Sequence, residues 1–141
     1  QAAVGADIIV GFPGETDNDF EGMADFLSEA PLAYFHVFSF SPRPGTKAFG
    51  WPRVSEAKKK ERAGRLRKMG RQKNLAFRSR LLGEELEAVV IENDGRTAQA
   101  LTPNYIQVRL SACSAQEGRP VRVKIARVTD QATFGEIVSF P

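Results

Sequence analysis

Residues 6–12 form an apolar run broken only by Asp7, the pattern of a strand buried on both faces. Pro13 and Gly14 end it. Thr16 then reads as a helix N-cap, with Asp17 and Asp19 beside the positive helix end. Phe20, Met23, Phe26, Leu27 and Ala30 recur at helical spacing, and Pro31 closes the segment. Residues 34–40 are a second apolar run rich in β-formers. Strand, helix and strand in this order predict a βαβ unit with parallel strands. Two parallel strands need neighbours and cover, so the pattern predicts further sheet on the N-terminal side of this chain.

Residues 42–52 are turn-rich. From residue 54 to about residue 80 there is no proline and helix formers dominate, with only Leu66, Met69, Ala76 and Phe77 as a narrow apolar stripe. This predicts a long helix linking two domains, frayed or kinked around Gly70. After Gly83 the period changes to two: Leu86, Ala88 and Val90, then Ile106, Val108 and Leu110, then Val121, Val123 and Ile125, then Ile137, Val138 and Phe140. Turn signals fall at Asn93-Asp94-Gly95, Thr102-Pro103-Asn104, Glu117-Gly118 and Asp130-Gln131. Five short strands so punctuated suit a small closed barrel of OB-like type. The expected division is 1–52, 53–80 and 81–141.

Charge is unevenly placed. Residues 1–50 carry two basic residues against seven acids, residues 53–80 twelve against two, and residues 81–141 six against eight. The net +3 therefore conceals one strongly basic helix, the usual footprint of a polyanion contact, whereas a charge run is most often only a solvated face. No apolar run approaches the roughly 20 residues of a membrane helix. The single cysteine, Cys113, excludes an internal disulfide and a cysteine-held zinc or iron–sulfur site made by this chain alone, so no metal ligands are assigned. With no basic neighbour it reads as an inert thiol, and one cysteine fits a reducing, cytoplasmic setting.

Two turns carry candidate chemistry. Gly11-Phe12-Pro13-Gly14-Glu15-Thr16 lies between strand and helix, where glycines admit a ligand to the backbone and a helix start offers free N–H groups; any βα junction also needs a capped turn. In Ser41-Pro42-Arg43-Pro44-Gly45-Thr46 two prolines stiffen a loop around one arginine, whose fork suits phosphate or carboxylate, unless it pairs with a nearby acid. On a βαβ unit both turns emerge at the same sheet edge, where α/β proteins bind ligands. His36, inside an apolar strand, reads more readily as a hydrogen-bonded core residue than as a catalyst.

These two turns, with the Phe35-His36-Val37-Phe38 lead-in, resemble the last strands of the radical-SAM barrel in the tRNA methylthiotransferases. Leu101-Thr102-Pro103-Asn104-Tyr105-Ile106-Gln107-Val108 is similar to the signature strand of the TRAM domain that ends those enzymes. The resemblance covers nearly the whole chain and implies a C-terminal fragment: the closing βαβ part of a radical-SAM (β/α) barrel, a basic linker helix, and a five-stranded OB-like TRAM barrel. It implies S-adenosylmethionine beside Gly11, Pro13, Gly14 and Glu15, and substrate or cofactor contact at Arg43 and Thr46. Together with the charge pattern it points to tRNA on Lys58, Lys59 and Lys60 of the helix, and on Tyr105, Arg109, Arg122, Lys124 and Arg127 of the barrel, Tyr105 by stacking and the cations along phosphates. The barrel's excess of acids departs from that picture, so either its basic residues cluster on one face or the helix carries most of the RNA contact.

The cluster-binding cysteines of the family have no match here. The 4Fe-4S clusters would therefore belong to an N-terminal part of the same enzyme, and this chain alone would be inactive, with no catalytic residue of its own. The branch acting on N6-threonylcarbamoyladenosine is the nearest in sequence; branches acting on isopentenyladenosine or on a ribosomal protein are alternatives. A non-catalytic RNA-binding module, or another radical-SAM enzyme such as an anaerobic coproporphyrinogen oxidase, remains a rival reading.

Overall fold

A computed structural model describes residues 2–111 and 115–140. Cys113 lies outside the described residues. The chain divides into two compact units, Val4–Asn74 and the residues from Leu75 onward.

In the first unit β1 (Gly5–Val10), α1 (Asp17–Glu29) and β2 (Tyr34–Ser39) form the βαβ motif. The two strands pair in parallel from Gly5 opposite Tyr34 to Val10 opposite Ser39. Thr16 caps α1: its hydroxyl accepts from the Asp19 amide, and the Asp19 carboxylate accepts in turn from the Thr16 amide. Phe20, Ala24 and Leu27 are buried, whereas Phe26 is 68% exposed, because it lies well round the helix from that face. A short 3-10 turn, Lys47–Gly50, precedes α2 (Glu56–Ser79). The helix runs unbroken through Gly70, correcting the expected fraying. A Cβ there would come 3.3 Å from the Phe35 ring, so the glycine serves close packing of helix on strand.

The core of this unit gathers Val10, Phe20, Ala24, Leu27, Phe35, Val37, Ala63 and Leu66. All of it lies on one side of the sheet. Asp7, Ile9, His36 and Phe38 point the other way and are exposed, Ile9 by 53% and Phe38 by 52%. β1 is thus buried on one face, correcting the two-face expectation: helices cover one side of the sheet, and among the described residues nothing covers the other. His36 is likewise not a core residue; it sits exposed opposite Asp7 with its ring 5.6 Å from that of Tyr34.

In the second unit β3 (Glu85–Asn93), β4 (Thr97–Leu101), β5 (Gln107–Ser111), β6 (Pro120–Val128) and β7 (Thr133–Ser139) close into a barrel in the order β3-β4-β5-β7-β6. β5 and β7 pair in parallel and every other pair is antiparallel. This is the OB-like architecture expected from the period-two pattern. Val90, Val108, Leu110, Val121, Val123 and Ile125 fill the interior, with Ala98 and Ala100 from β4. The inward residues of β7 are Thr133 and Gly135. Val138 and Phe140 are exposed, contrary to their place in the apolar pattern. A Cβ on Gly135 would meet Val108 at 2.7 Å and the Lys124 carbonyl at 2.8 Å, so no side chain fits where β6 and β7 close the barrel.

Candidate functional site

The Gly11–Thr16 turn is braced from within. Gly11 has φ +73, a conformation that favours glycine. Its amide donates to the Glu15 carboxylate at 3.0 Å, while the same carboxylate pairs with the guanidinium of Arg62 on α2. Arg62 also donates to the Glu15 carbonyl at 3.3 Å and to Asp17 at 2.6 Å, and its guanidinium lies 5.3 Å from the Phe20 ring centre. Burial opposes the Arg62 charge, but the bonds to Asp17 and Glu15 outweigh it and hold its pKa above the ordinary arginine value. The hydrogen bond from Lys58, followed by that from Arg62, holds the Asp17 carboxyl below its usual range. Glu15 thus braces the turn from within, and Pro13 of the same turn is buried. Gly14 is different: it is exposed, with φ +89 and open space where a Cβ would stand.

At the same sheet edge a cleft of about 470 Å³ is lined by Ile9, Phe12, Phe38, Phe40, Arg43 and Thr46. Phe12 packs edge-on against Phe40 at 5.1 Å and Trp51 at 6.2 Å. Thr46 closes the proline loop through its hydroxyl, which donates to the Arg43 carbonyl at 2.8 Å, so its hydroxyl is engaged in shaping the turn. Arg43 is exposed and makes no ion pair among the described residues. The two sequence motifs thus meet as one apolar cleft with the Arg43 cation at its rim.

The basic helix resolves into two kinds of charge. Lys59 is 5% exposed; its ammonium lies 2.6 Å from Glu56 and 3.3 Å from the Phe40 carbonyl, which removes it from any phosphate-facing surface. Lys58 pairs with Asp17 at 2.8 Å and Arg65 with Glu21 at 2.5 Å. Arg67 donates to the Val37 carbonyl, Lys73 to those of Ser28 and Ala30, and buried Arg78 to that of Thr129 and to the Thr133 hydroxyl. Lys60, Lys68 and Arg71 are exposed, lie at helical spacing on the solvent side of α2, and have no ion pair among the described residues. Of the three lysines expected to meet RNA, only Lys60 belongs to this free stripe.

The barrel's basic residues also separate. Arg109 stands opposite Phe134 on the β5–β7 pair, and the Arg127 guanidinium lies 3.9 Å from the Phe134 ring centre. Gln99 pairs with Arg109 from β4, and the group lines a cleft of about 570 Å³. Arg122 faces Glu87 at 4.0 Å, and Lys124 is flanked by Glu85 and Glu136 in the strand register, so these two stand among acids. Tyr105 belongs to another place: φ +60, 78% exposed, beside an apolar cleft of about 860 Å³ lined by Val89, Ile91, Leu101, Pro103 and Pro120. Buried Thr102 holds that loop, its hydroxyl accepting from the Ile106 amide at 3.0 Å. Arg62, Lys68, Arg71 and Phe134 were not singled out by the sequence. Phe134 is isolated among polar residues, and α2 gives no local sign of which cations find partners more than forty residues away.

Fold and clefts define a chain that joins an α/β unit bearing ligand-type turns to an OB-like barrel. Comparison with profiles of known protein families finds no match. Individual relatives are clear. The chain is 38% identical over 125 residues to the threonylcarbamoyladenosine tRNA methylthiotransferase MtaB of Aquifex aeolicus, covering 88% of this chain and 29% of that protein. It is 34% identical to the tRNA-2-methylthio-N(6)-dimethylallyladenosine synthase of Orientia tsutsugamushi, over 95% of this chain and 31% of that protein. It is 35% identical to the ribosomal protein uS12 methylthiotransferase RimO of Geobacter sulfurreducens, over 97% of this chain and 33% of that protein. The chain belongs to the methylthiotransferase family, and it spans about a third or less of the length of these relatives.

Proposed function

We propose that this chain is the C-terminal part of a cytoplasmic radical-SAM enzyme that methylthiolates N6-threonylcarbamoyladenosine of tRNA at C2, supplying tRNA binding and one wall of the S-adenosylmethionine pocket. In this reading residues 1–52 close the barrel of that enzyme, residues 53–80 link, and residues 81–141 are the TRAM domain. The observation that carries RNA binding is the Arg109–Phe134–Arg127 row on the barrel surface, an aromatic residue with an arginine in register on each neighbouring strand and the Arg127 guanidinium stacked 3.9 Å from its ring centre, a layer on which an unpaired base can stack and beside which its phosphates meet positive charge. The free stripe of Lys60, Lys68 and Arg71 adds a sequence-independent attraction for the phosphate backbone.

For S-adenosylmethionine the residues fit one side of a site. The Phe12 and Phe38 cleft offers an apolar wall, Gly14 an open backbone approach, and Arg43 a cation for a carboxylate. Bound there, the cofactor would supply the 5′-deoxyadenosyl radical and the methyl group of the family's chemistry, while this chain binds and orients. Among the described residues no group of three or more His, Cys, Asp or Glu could hold a metal. With a single cysteine, Cys113, the chain lacks the cysteines that usually hold such clusters, and the 4Fe-4S clusters are assigned to the remainder of the enzyme. No helix among the described residues is long and apolar enough to cross a membrane.

The threonylcarbamoyl substrate is favoured over dimethylallyladenosine by the name of relatives 42% identical to this chain, against 38% for the dimethylallyladenosine synthase of Ehrlichia canis. The ribosomal-protein reading has its own support in the match over 97% of the chain. A titration of anticodon stem-loop RNA tests the RNA reading and the row directly. Phe134→Leu should weaken binding by about 1–3 kcal/mol without changing the salt slope. Lys60, Lys68 and Arg71 together to Ala should flatten the plot of log affinity against log salt, by about 0.7–0.9 for each phosphate that is no longer neutralised. Wild-type chain that binds the RNA no better than a protein of equal charge would refute the RNA reading.

A further inference from the structure

The strongest unassigned feature is a pair of buried cations on α2, Arg62 and Lys59, 4% and 5% exposed. Buried charges of this kind are retained only where partners hold them. Their partners are the two loops at the ligand edge. Arg62 grips the Glu15 carbonyl, the Glu15 carboxylate and Asp17, and that same carboxylate fixes the Gly11 amide at 3.0 Å. The Lys59 stem lies against Gly11 where any Cβ would overlap it, and its ammonium donates to the Phe40 carbonyl at 3.3 Å. Phe40 is in turn bonded through its amide to the Val10 carbonyl at 2.8 Å. One helix turn therefore ties the end of β1 to the end of β2, on either side of the 470 Å³ cleft.

We propose that Arg62 and Lys59 are positioning residues: they hold the Gly11–Glu15 turn and the Phe40 strand end in the one arrangement that leaves Gly14 open and Phe12 against Phe40. The planar guanidinium bridges a carbonyl and two carboxylates at once, which a lysine ammonium cannot match in geometry. Gly11 combines a positive φ with an absent Cβ, and Lys59 fills the space that a Cβ would take. This inference rests on the cofactor reading of the cleft only for its functional consequence; the bracing itself stands on the hydrogen bonds and packing at the turn.

The test separates the two. In the 141-residue chain, amide exchange of Gly11 is measured for wild type, Arg62→Lys, Arg62→Met and the exposed control Gln72→Met. Both Arg62 variants should speed Gly11 exchange at least tenfold while the Leu27 and Val37 amides stay within twofold, which also shows that the unit remains folded; the control should change nothing. Unchanged Gly11 exchange in Arg62→Lys would overturn the bracing. In the whole methylthiotransferase carrying this segment, Arg62→Lys should raise KM for S-adenosylmethionine at least tenfold with kcat within threefold. Faster Gly11 exchange with KM unmoved would keep the bracing and overturn the cofactor reading of the turn.

Discussion

The two units bury their cores by opposite means. The barrel closes its sheet on itself, so every strand has two neighbours and the inward residues of five strands meet in one interior. The α/β unit has a sheet of two parallel strands covered on one side, and it recruits α2 to complete that cover. The joint of α2 with α1 and its flanking turns is largely ionic and carbonyl-directed, through Arg62, Arg65 and Lys73, with Arg67 adding a bond to the Val37 carbonyl of β2, whereas the barrel holds through tightly packed apolar residues. A unit built on one covered sheet face retains an exposed face with Ile9, Phe12 and Phe38, and the cleft lined by Phe12, Arg43 and Thr46 opens there. Closure leaves no sheet edge, while half-cover leaves an apolar cleft.

The largest test of this contrast removes one core side chain from each unit. Leu66→Ala and Ile125→Ala should each cost about 2–5 kcal/mol in its own unit. Amide exchange followed strand by strand should show Leu66→Ala opening β1 and β2 while β3, β5 and β6 keep their protection. Simultaneous loss of protection in both units would show one cooperative structure instead of two.

Gly135→Ala probes the tightness of barrel closure. The added Cβ meets Val108 and the Lys124 carbonyl, and backbone cannot yield as a flexible side chain does, so urea unfolding should report a loss of about 1–3 kcal/mol. Gly64→Ala, on the exposed face of α2 with open space around it, should instead stabilise its unit by roughly 0.5–1 kcal/mol. Equal effects would break the comparison.

Acid gives the smallest effect. Asp17, Asp19 and Glu21 in the α/β unit have pKa values below their ordinary 3.8 and 4.5: Asp17 first through Lys58, Asp19 through Thr16 and Glu21 through Arg65. A lowered folded-state value means stability present above the ordinary range and lost as pH falls through it and below. In the barrel, Asp94 is lowered by the Thr97 and Arg96 amides. Between about pH 5 and 3 the α/β unit should therefore lose thermal stability sooner than the barrel, read as separate transitions by near-ultraviolet dichroism.

The sequence by itself determined the βαβ order, the Thr16 cap, the turns at Gly95 and Gly118, and the barrel strands carrying large apolar residues, because these depend on local periodicity and on the φ angles that glycine admits. Topology alone placed the Gly11–Thr16 and Ser41–Thr46 turns at one sheet edge, where Phe12, Arg43 and Thr46 line one cleft. The inward face of β4 escaped the sequence reading because Ala98 and Ala100 are too small to mark a period, and β7 misled it because the bulky residues lie outside and Thr133 and Gly135 inside. Only the tertiary structure decided which charges of α2 are available. Lys59 and Lys60 are neighbours in the chain, yet one packs on Gly11 and the other faces solvent, since adjacent helix positions point about 100° apart and the partners of Lys59 arrive from the ends of β1 and β2. Helix formation sets that angle locally; what stands on either side of it is fixed by long-range packing.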